Sequence, residues 1–206
     1  ALRDLGFINY SEPFPKLFNQ GMLHGEDGFV MSKSRGNVID PMDTISKYGA
    51  DPLRFFLISM GSPDKDSVWS SSGIEGSYKF LKKVFESIIK IKIGKTSSKF
   101  SHKLNKTIKS ITEEIEGLKY NNAAIKLRLL FDSLESEISK NDLHSIIKLL
   151  APFCPHVAEE LWEKAGNKSF ISLDSWPKVE ESKINPEFDK IEKANEQAIV
   201  DIQNII

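Results

Sequence analysis

The chain is poor in residues that mark a chemical site on their own. Its single cysteine, Cys154, leaves no partner for an internal disulfide and excludes a cysteine-rich zinc centre. Its histidines, at 24, 102, 144 and 156, are scattered and show no metal-ligand spacing, so no metal ligand is expected among them. No apolar run approaches the length needed to span a bilayer, and no stretch reads as a signal peptide or lipidation motif. A membrane-free, cytoplasmic setting is the expectation. A formal charge of −1 argues against a basic nucleic-acid tail or a disordered polyelectrolyte. No segment of 20 to 50 residues repeats, which excludes a solenoid. The 206 residues can bury one or two cores.

The near-neutral total hides an uneven distribution of charge. Between residues 79 and 109 lie lysines 79, 82, 83, 90, 92, 95, 99, 103, 106 and 109, against one acid, Glu86. Such a run is either a solvated helix face or a footprint for nucleic-acid phosphates, whose binding weakens with salt. Around it the pattern is helical. Ile74, Tyr78, Leu81, Phe85, Ile88 and Ile89 form one stripe, and Leu104, Ile108, Ile111, Ile115 and Leu118 a second. Ala124, Ile125, Leu127, Leu130, Phe131, Leu134 and Ile138 form a third. Asn141-Asp142 is expected to cap a fourth helix, and Pro152 and Pro155 to break it before a fifth. Ser169–Ser172 reads as extended, and Asn185-Pro186 opens a last helix with Phe188, Ile191, Ala194, Ala198, Ile202 and Ile205 on one side. These stripes predict a helix bundle.

Upstream, residues 2–6 read as a helix end, Leu17–His24 as a strand, and Gly25–Gly28 as a hairpin turn. Asp40-Pro41 and Asp51-Pro52 both read as helix starts. Arg54 is expected to pair with an acid, and Trp69 to anchor domain packing. Cys154 is expected to be buried filler and His156 to cap or pack rather than react. The hairpin leads into Phe29-Val30-Met31-Ser32-Lys33-Ser34-Arg35-Gly36-Asn37. Small hydroxyl residues flank a lysine, and Gly36-Asn37 can take positive φ and act as a hinge. A lysine there is a point charge able to reach a phosphate.

Met31 to Ser34 resembles the second signature motif of class I aminoacyl-tRNA synthetases, lysine-methionine-serine-lysine-serine, with Val30 in place of the first lysine. The resemblance extends through Arg35–Pro41 and Tyr48-Gly49-Ala50-Asp51-Pro52-Leu53-Arg54. Tyr120–Ile125 and Leu149–Trp162 resemble the anticodon-binding helical domain of the leucine, isoleucine, valine and methionine group. Within that group, Glu12-Pro13-Phe14, Asn19–Met22, Ser67-Val68-Trp69 and Gly73–Tyr78 are most similar to the leucyl-tRNA synthetase family. Valyl and isoleucyl enzymes share much of the rest, and a non-catalytic tRNA-binding module would carry the same bundle. These alternatives stay open on the sequence.

The resemblance implies a mainly α chain in three parts. Residues 1–71 would be the tail of an α/β Rossmann-type catalytic domain carrying the motif loop at 30–34. Residues 72–178 would form the anticodon-binding-type bundle, and 179–206 a linker with the start of a truncated C-terminal region. It implies ATP-dependent activation of leucine and its transfer to tRNA(Leu), with Mg²⁺ accompanying ATP. Lys33 would be the catalytic cation. Met31, Ser32, Lys33 and Ser34 would hold the loop and the ATP phosphates, with Arg35 sharing the load that Val30 cannot carry. Lys79, Lys82, Lys83 and Lys90 would meet tRNA. The first signature motif and the amino-acid pocket are missing, so the chain is expected to be a fragment, inert without the rest of the enzyme or a partner subunit. Leucyl enzymes rely little on the anticodon, so the bundle's name does not imply anticodon reading.

Overall fold

Short polar side chains set most of the helix starts. Asp40 accepts the Met42 N–H at 2.8 Å and Pro41 fills the first turn, opening α1 (Pro41–Tyr48). Gly49, at φ +92°, ends α1 and leads into α2 (Ala50–Ser59). Ser70, Ser97 and Ser139 each accept a backbone N–H at the starts of α3 (Ser71–Ile89), α4 (Ser98–Glu116) and α6 (Lys140–Leu150). With α5 (Tyr120–Asp132), α7 (Pro155–Lys164) and α8 (Pro186–Gln203), these are the eight α-helices of the computed structural model, which describes residues 1–203 except Pro13. The architecture is mainly helical, as expected.

Two cores meet at α2. Phe55, fully buried, faces the bundle core, with its ring stacked 5.1 Å from Phe80 and edge-on to Phe153 at 6.4 Å. Its neighbours Leu53 and Phe56 point to a smaller core with Trp69 and Ile74, where Phe56 meets Trp69 in a T-shaped pair at 5.2 Å. Fully burying each such aromatic contributes about 1.5–3 kcal/mol, so one short helix joins the two cores firmly. Trp69 is the packing anchor expected of it. Residues 2–6 form a hydrogen-bonded turn rather than the end of a helix: the Phe7 N–H reaches the Leu2 carbonyl and Gly6 takes φ +74°.

Several expectations are corrected. Of the Leu17–His24 strand only Leu23–His24 (β1) forms, and it pairs in parallel with Ser67–Val68 (β2). The preceding donors are taken by a turn instead, Gly21 N–H by the Pro63 carbonyl and Met22 N–H by Asp66, each at 2.8 Å. The hairpin survives as a single His24–Val30 bridge across the Gly25–Gly28 turn. Ile138 is not on the third helical stripe: α5 ends at Asp132, and Ile138 lies in β4 (Glu137–Ile138), paired in parallel with β3 (Lys92–Ile93). Leu118 is past the end of α4, in the left-handed region at φ +59°. Ser139, not Asn141-Asp142, caps α6, while buried Asp142 is held in the first turn by the Ser139 hydroxyl at 2.7 Å and by Thr96. Ile171–Leu173 is one turn of 3₁₀ helix rather than extended chain, because the Glu159 carboxylate captures the Ile171 N–H. On α8, Phe188 packs on His102, whereas Ile191, Ala194 and Ala198 are exposed; the Ile202 side chain and Ile205 lie outside what the structure describes.

Asp51 does not cap its own helix. It is 3% exposed and accepts the Val157 N–H at 2.7 Å and the His156 Nδ1 at 2.8 Å, thereby capping α7, whose own N-cap residue, Cys154, makes no side-chain cap. His156 therefore pairs with Asp51 but neither caps nor packs, contrary to expectation: its side chain is 76% exposed, because Asp51 reaches the helix start from α2 and supplies the cap itself. Among the described residues Arg54 finds no acid; it donates to the Pro152 carbonyl at 3.2 Å. Cys154 is buried, and that burial pushes its thiol far up, leaving it neutral filler.

Candidate functional site

The Gly25–Gly28 turn carries the Val30–Asn37 loop beyond β1. Met31, part-buried, packs against the small core of Leu53, Phe56, Trp69 and Ile74 and so ties the loop's entry to the scaffold. One turn of 3₁₀ helix, Lys33–Arg35, follows, and Gly36 ends it at φ +70°, a conformation glycine adopts without Cβ strain. Asn37 does not take positive φ. Its side chain instead bridges the two ends of the loop, accepting the Ser32 N–H on Oδ1 at 2.9 Å.

The four predicted loop residues play different geometric parts. Ser32 and Ser34 share a hydroxyl hydrogen bond at 3.2 Å. Lys33 is exposed at the apex; its carbonyl accepts the Gly36 N–H, while its side chain makes no hydrogen bond or ion pair among the described residues. Arg35 is parked, its guanidinium 4.4 Å above the Phe29 ring. Asp27 accepts the Phe29 N–H at 3.1 Å and is held below the usual carboxylate range, first by that bond and then by the Asn37 amide. No group of three His, Cys, Asp or Glu residues that could hold a metal ion occurs among the described residues.

The candidate lysines divide into two pairs. Lys79 is matched by Glu75 at 2.7 Å and Lys83 by Asp132 at 2.9 Å, both at exposed sites. Lys82 and Lys90 are exposed and have no acid within ion-pair distance among the described residues. Further along, Lys103, Lys106 and Lys109 are engaged by Glu192, Asp189 and Glu181. Part of the basic run is therefore neutralised by acids that approach from other segments. Sequence reasoning missed those pairings, which join remote segments, and also the Asn37 bridge, which joins residues five and ten apart only once the turn has folded. The only signal was turn chemistry, Asp27-Gly28 and Gly36-Asn37, read at each place separately. No helix among the described residues is long and apolar enough to cross a membrane.

Residues 6–70 match the family model for class I tRNA synthetases (I, L, M and V), and residues 98–206 match the model for the anticodon-binding domain of tRNA ligase. The second match covers more than half of the chain, which therefore belongs to the family of anticodon-binding domains of tRNA ligases. Within it, the similarity is to leucine–tRNA ligases. The enzyme of Mycoplasma capricolum subsp. capricolum is 42% identical over 188 residues, covering 89% of this chain, and that of Petrotoga mobilis 37% identical over 214 residues, covering 91%. Among solved structures, the Agrobacterium radiobacter K84 agnB2 LeuRS in ternary complex with tRNA and LeuAMS aligns with TM-score 0.78 at 26% identity, covering 89% of this chain and 27% of that one. These findings bear out the leucyl resemblance drawn from the motifs. The chain spans 23–26% of the length of those two curated relatives.

Proposed function

We propose that this chain is part of a leucine–tRNA ligase, which activates leucine with ATP and transfers it to tRNA(Leu). In this reading residues 1–71 supply the end of the catalytic domain with its phosphate loop, 72–178 the tRNA-binding bundle, and 179–206 a linker region. The observation that carries this reading is Lys33, an exposed and unengaged cation among the described residues, on a loop whose base is fixed by Met31 packing and the Asn37 bridge. Leucine attacks the α-phosphorus of ATP, and negative charge builds on the departing pyrophosphate. A cation held where that charge develops stabilises the transition state more than the ground state. Ser32 and Ser34 can donate to phosphate oxygens once their mutual bond opens. Arg35, resting on Phe29, must leave its ring to help, which gives it the smaller part. With only this stretch of the enzyme, the chain alone is expected to be inactive.

Amino-acid-dependent ATP–pyrophosphate exchange on the full-length polypeptide tests the proposal. Leucine should drive exchange, and Lys33→Ala should lower its rate on the order of 10²-fold or more, as removal of a transition-state charge partner does. Arg35→Ala should lose far less. Equal and small losses would remove Lys33 from the role. Exchange driven by valine or isoleucine would overturn the amino acid but keep the chemistry. No exchange with any amino acid would favour a binding module.

A further inference from the structure

Asn37 makes more side-chain hydrogen bonds than any neighbour in the loop. Its Oδ1 accepts the Ser32 N–H at 2.9 Å. Its Nδ2 faces both Asp27 carboxylate oxygens at 3.2 and 3.1 Å, and the Phe29 and Val30 carbonyls at 3.3 and 3.4 Å. Four oxygens on one side and an N–H on the other fix the amide's orientation, since a flip would set Oδ1 against a carboxylate. Asp27 is itself fixed by the Phe29 N–H. The turn leaves room for this contact through Gly25, where an added Cβ would lie 2.8 Å from Asp27 Oδ1 and 3.3 Å from Asn37 Nδ2. The result is a ring of contacts that closes the Lys33–Gly36 segment at its base and leaves the Lys33 side chain free at its tip.

We propose that Asp27 and Asn37 form a clamp that presets the Lys33 loop, acting as positioning residues for phosphate chemistry without touching the nucleotide. The idea rests on the reading of Lys33 as the phosphate cation. A point charge works only where it is aimed. Loss of the clamp frees the Ser32 N–H and two carbonyls to water, and the loop's base then samples positions from which Lys33 no longer reaches the departing phosphates. A misplacement of about 1 Å can cost on the order of 10²-fold in rate. The charge-assisted Asn37–Asp27 contact is the stronger part of the ring, so it is the part to test.

The test is leucine-dependent pyrophosphate exchange on the full-length polypeptide, with kcat and the KM values for ATP and leucine measured separately, beside thermal melts. Asn37→Ala and Asn37→Asp, the latter setting two carboxylates face to face, should lower kcat about 10- to 100-fold with the leucine KM and the melting midpoint unchanged. Asp27→Ala should lose about tenfold, and Asp27→Asn, which keeps one acceptor oxygen but sets its own NH2 against Asn37 Nδ2 and removes the charge, should recover only part of it. If Lys33→Ala is impaired but the Asn37 variants match wild type, or lose activity only in step with their melting midpoints, the clamp is overturned and the cation stands. If Lys33→Ala is itself unimpaired, the reading beneath the clamp fails.

Discussion

His24 lies between two acceptors, with Nδ1 2.8 Å from the Gly28 carbonyl and Nε2 3.2 Å from Asp66 Oδ2. Only the imidazolium carries a proton on both nitrogens, so the fold raises this pKa above 6.5, first through the Gly28 bond and then through Asp66, against some desolvation. His144 is the reverse case. Its ring packs 4.6 Å from Trp162, its Nε2 accepts from the Asn167 amide at 3.2 Å, and burial, followed by Lys140 and Lys148, lowers its pKa. The signs follow from proton counts. Above pH 6.5 the folded chain binds more protons at His24 than the unfolded chain does, so that contribution, full in mild acid, is lost as pH rises through the raised pKa. At His144 the unfolded chain binds more protons just below pH 6.5, so stability falls as pH drops there. Urea midpoints from pH 5.5 to 8 should fall away on both sides of pH 6.5. His24→Gln should flatten the alkaline slope and His144→Gln the acid one. An NMR titration midpoint for His24 at or below 6.5 would contradict the bond geometry.

At the scale of elements, the connection most exposed to a single substitution is the cap that α2 lends to α7. Asp51→Ala would leave the Val157 N–H without its acceptor near a buried carboxylate site, at a cost of about 1–3 kcal/mol. Asp51→Asn, which retains an acceptor, should cost less. Guanidinium unfolding of the two variants measures this; a midpoint for Asp51→Ala equal to wild type would mean that α7 is capped by water. The same residue shows where sequence reading stopped. Asp40-Pro41 and Asp51-Pro52 look alike in the chain, and local chemistry decided the first, whose carboxylate caps its own helix. Tertiary packing decided the second, by bringing a helix start that lacked its own cap within 3 Å. Stripes at helical spacing were legible through Leu104, Ile108 and Ile111, all buried. They failed at Leu118 and Ile138, apolar residues that keep the period past a helix end. The loop's composition and its motif were legible from Met31 to Asn37. The Asp27–Asn37 contact was not, because only the folded turn brings those residues together.

For the whole molecule, charge pairing decides how tRNA would bind. The proposed reading places nucleic-acid phosphates along α3, where the sequence alone made four lysines equivalent. The structure separates them. Lys79 and Lys83 already face Glu75 and Asp132, so giving a proton-bearing nitrogen to a phosphate means weakening an existing contact, although exposed pairs of this kind are worth little. Lys82 and Lys90 have no such competitor among the described residues. Each phosphate neutralised by a lysine releases condensed counterions, and losing one contact should reduce the slope of log K against log salt by about 1. Lys82→Ala and Lys90→Ala in the full-length polypeptide should therefore weaken tRNA(Leu) binding and flatten that slope, each by more than Lys79→Ala or Lys83→Ala does. Glu75→Gln and Asp132→Asn should do the opposite, strengthening binding by freeing Lys79 and Lys83. Filter binding from 50 to 200 mM salt reads all six variants. If the four lysine variants bind with one common slope equal to wild type, α3 is a solvated face, and the phosphates of tRNA lie against another side of the bundle.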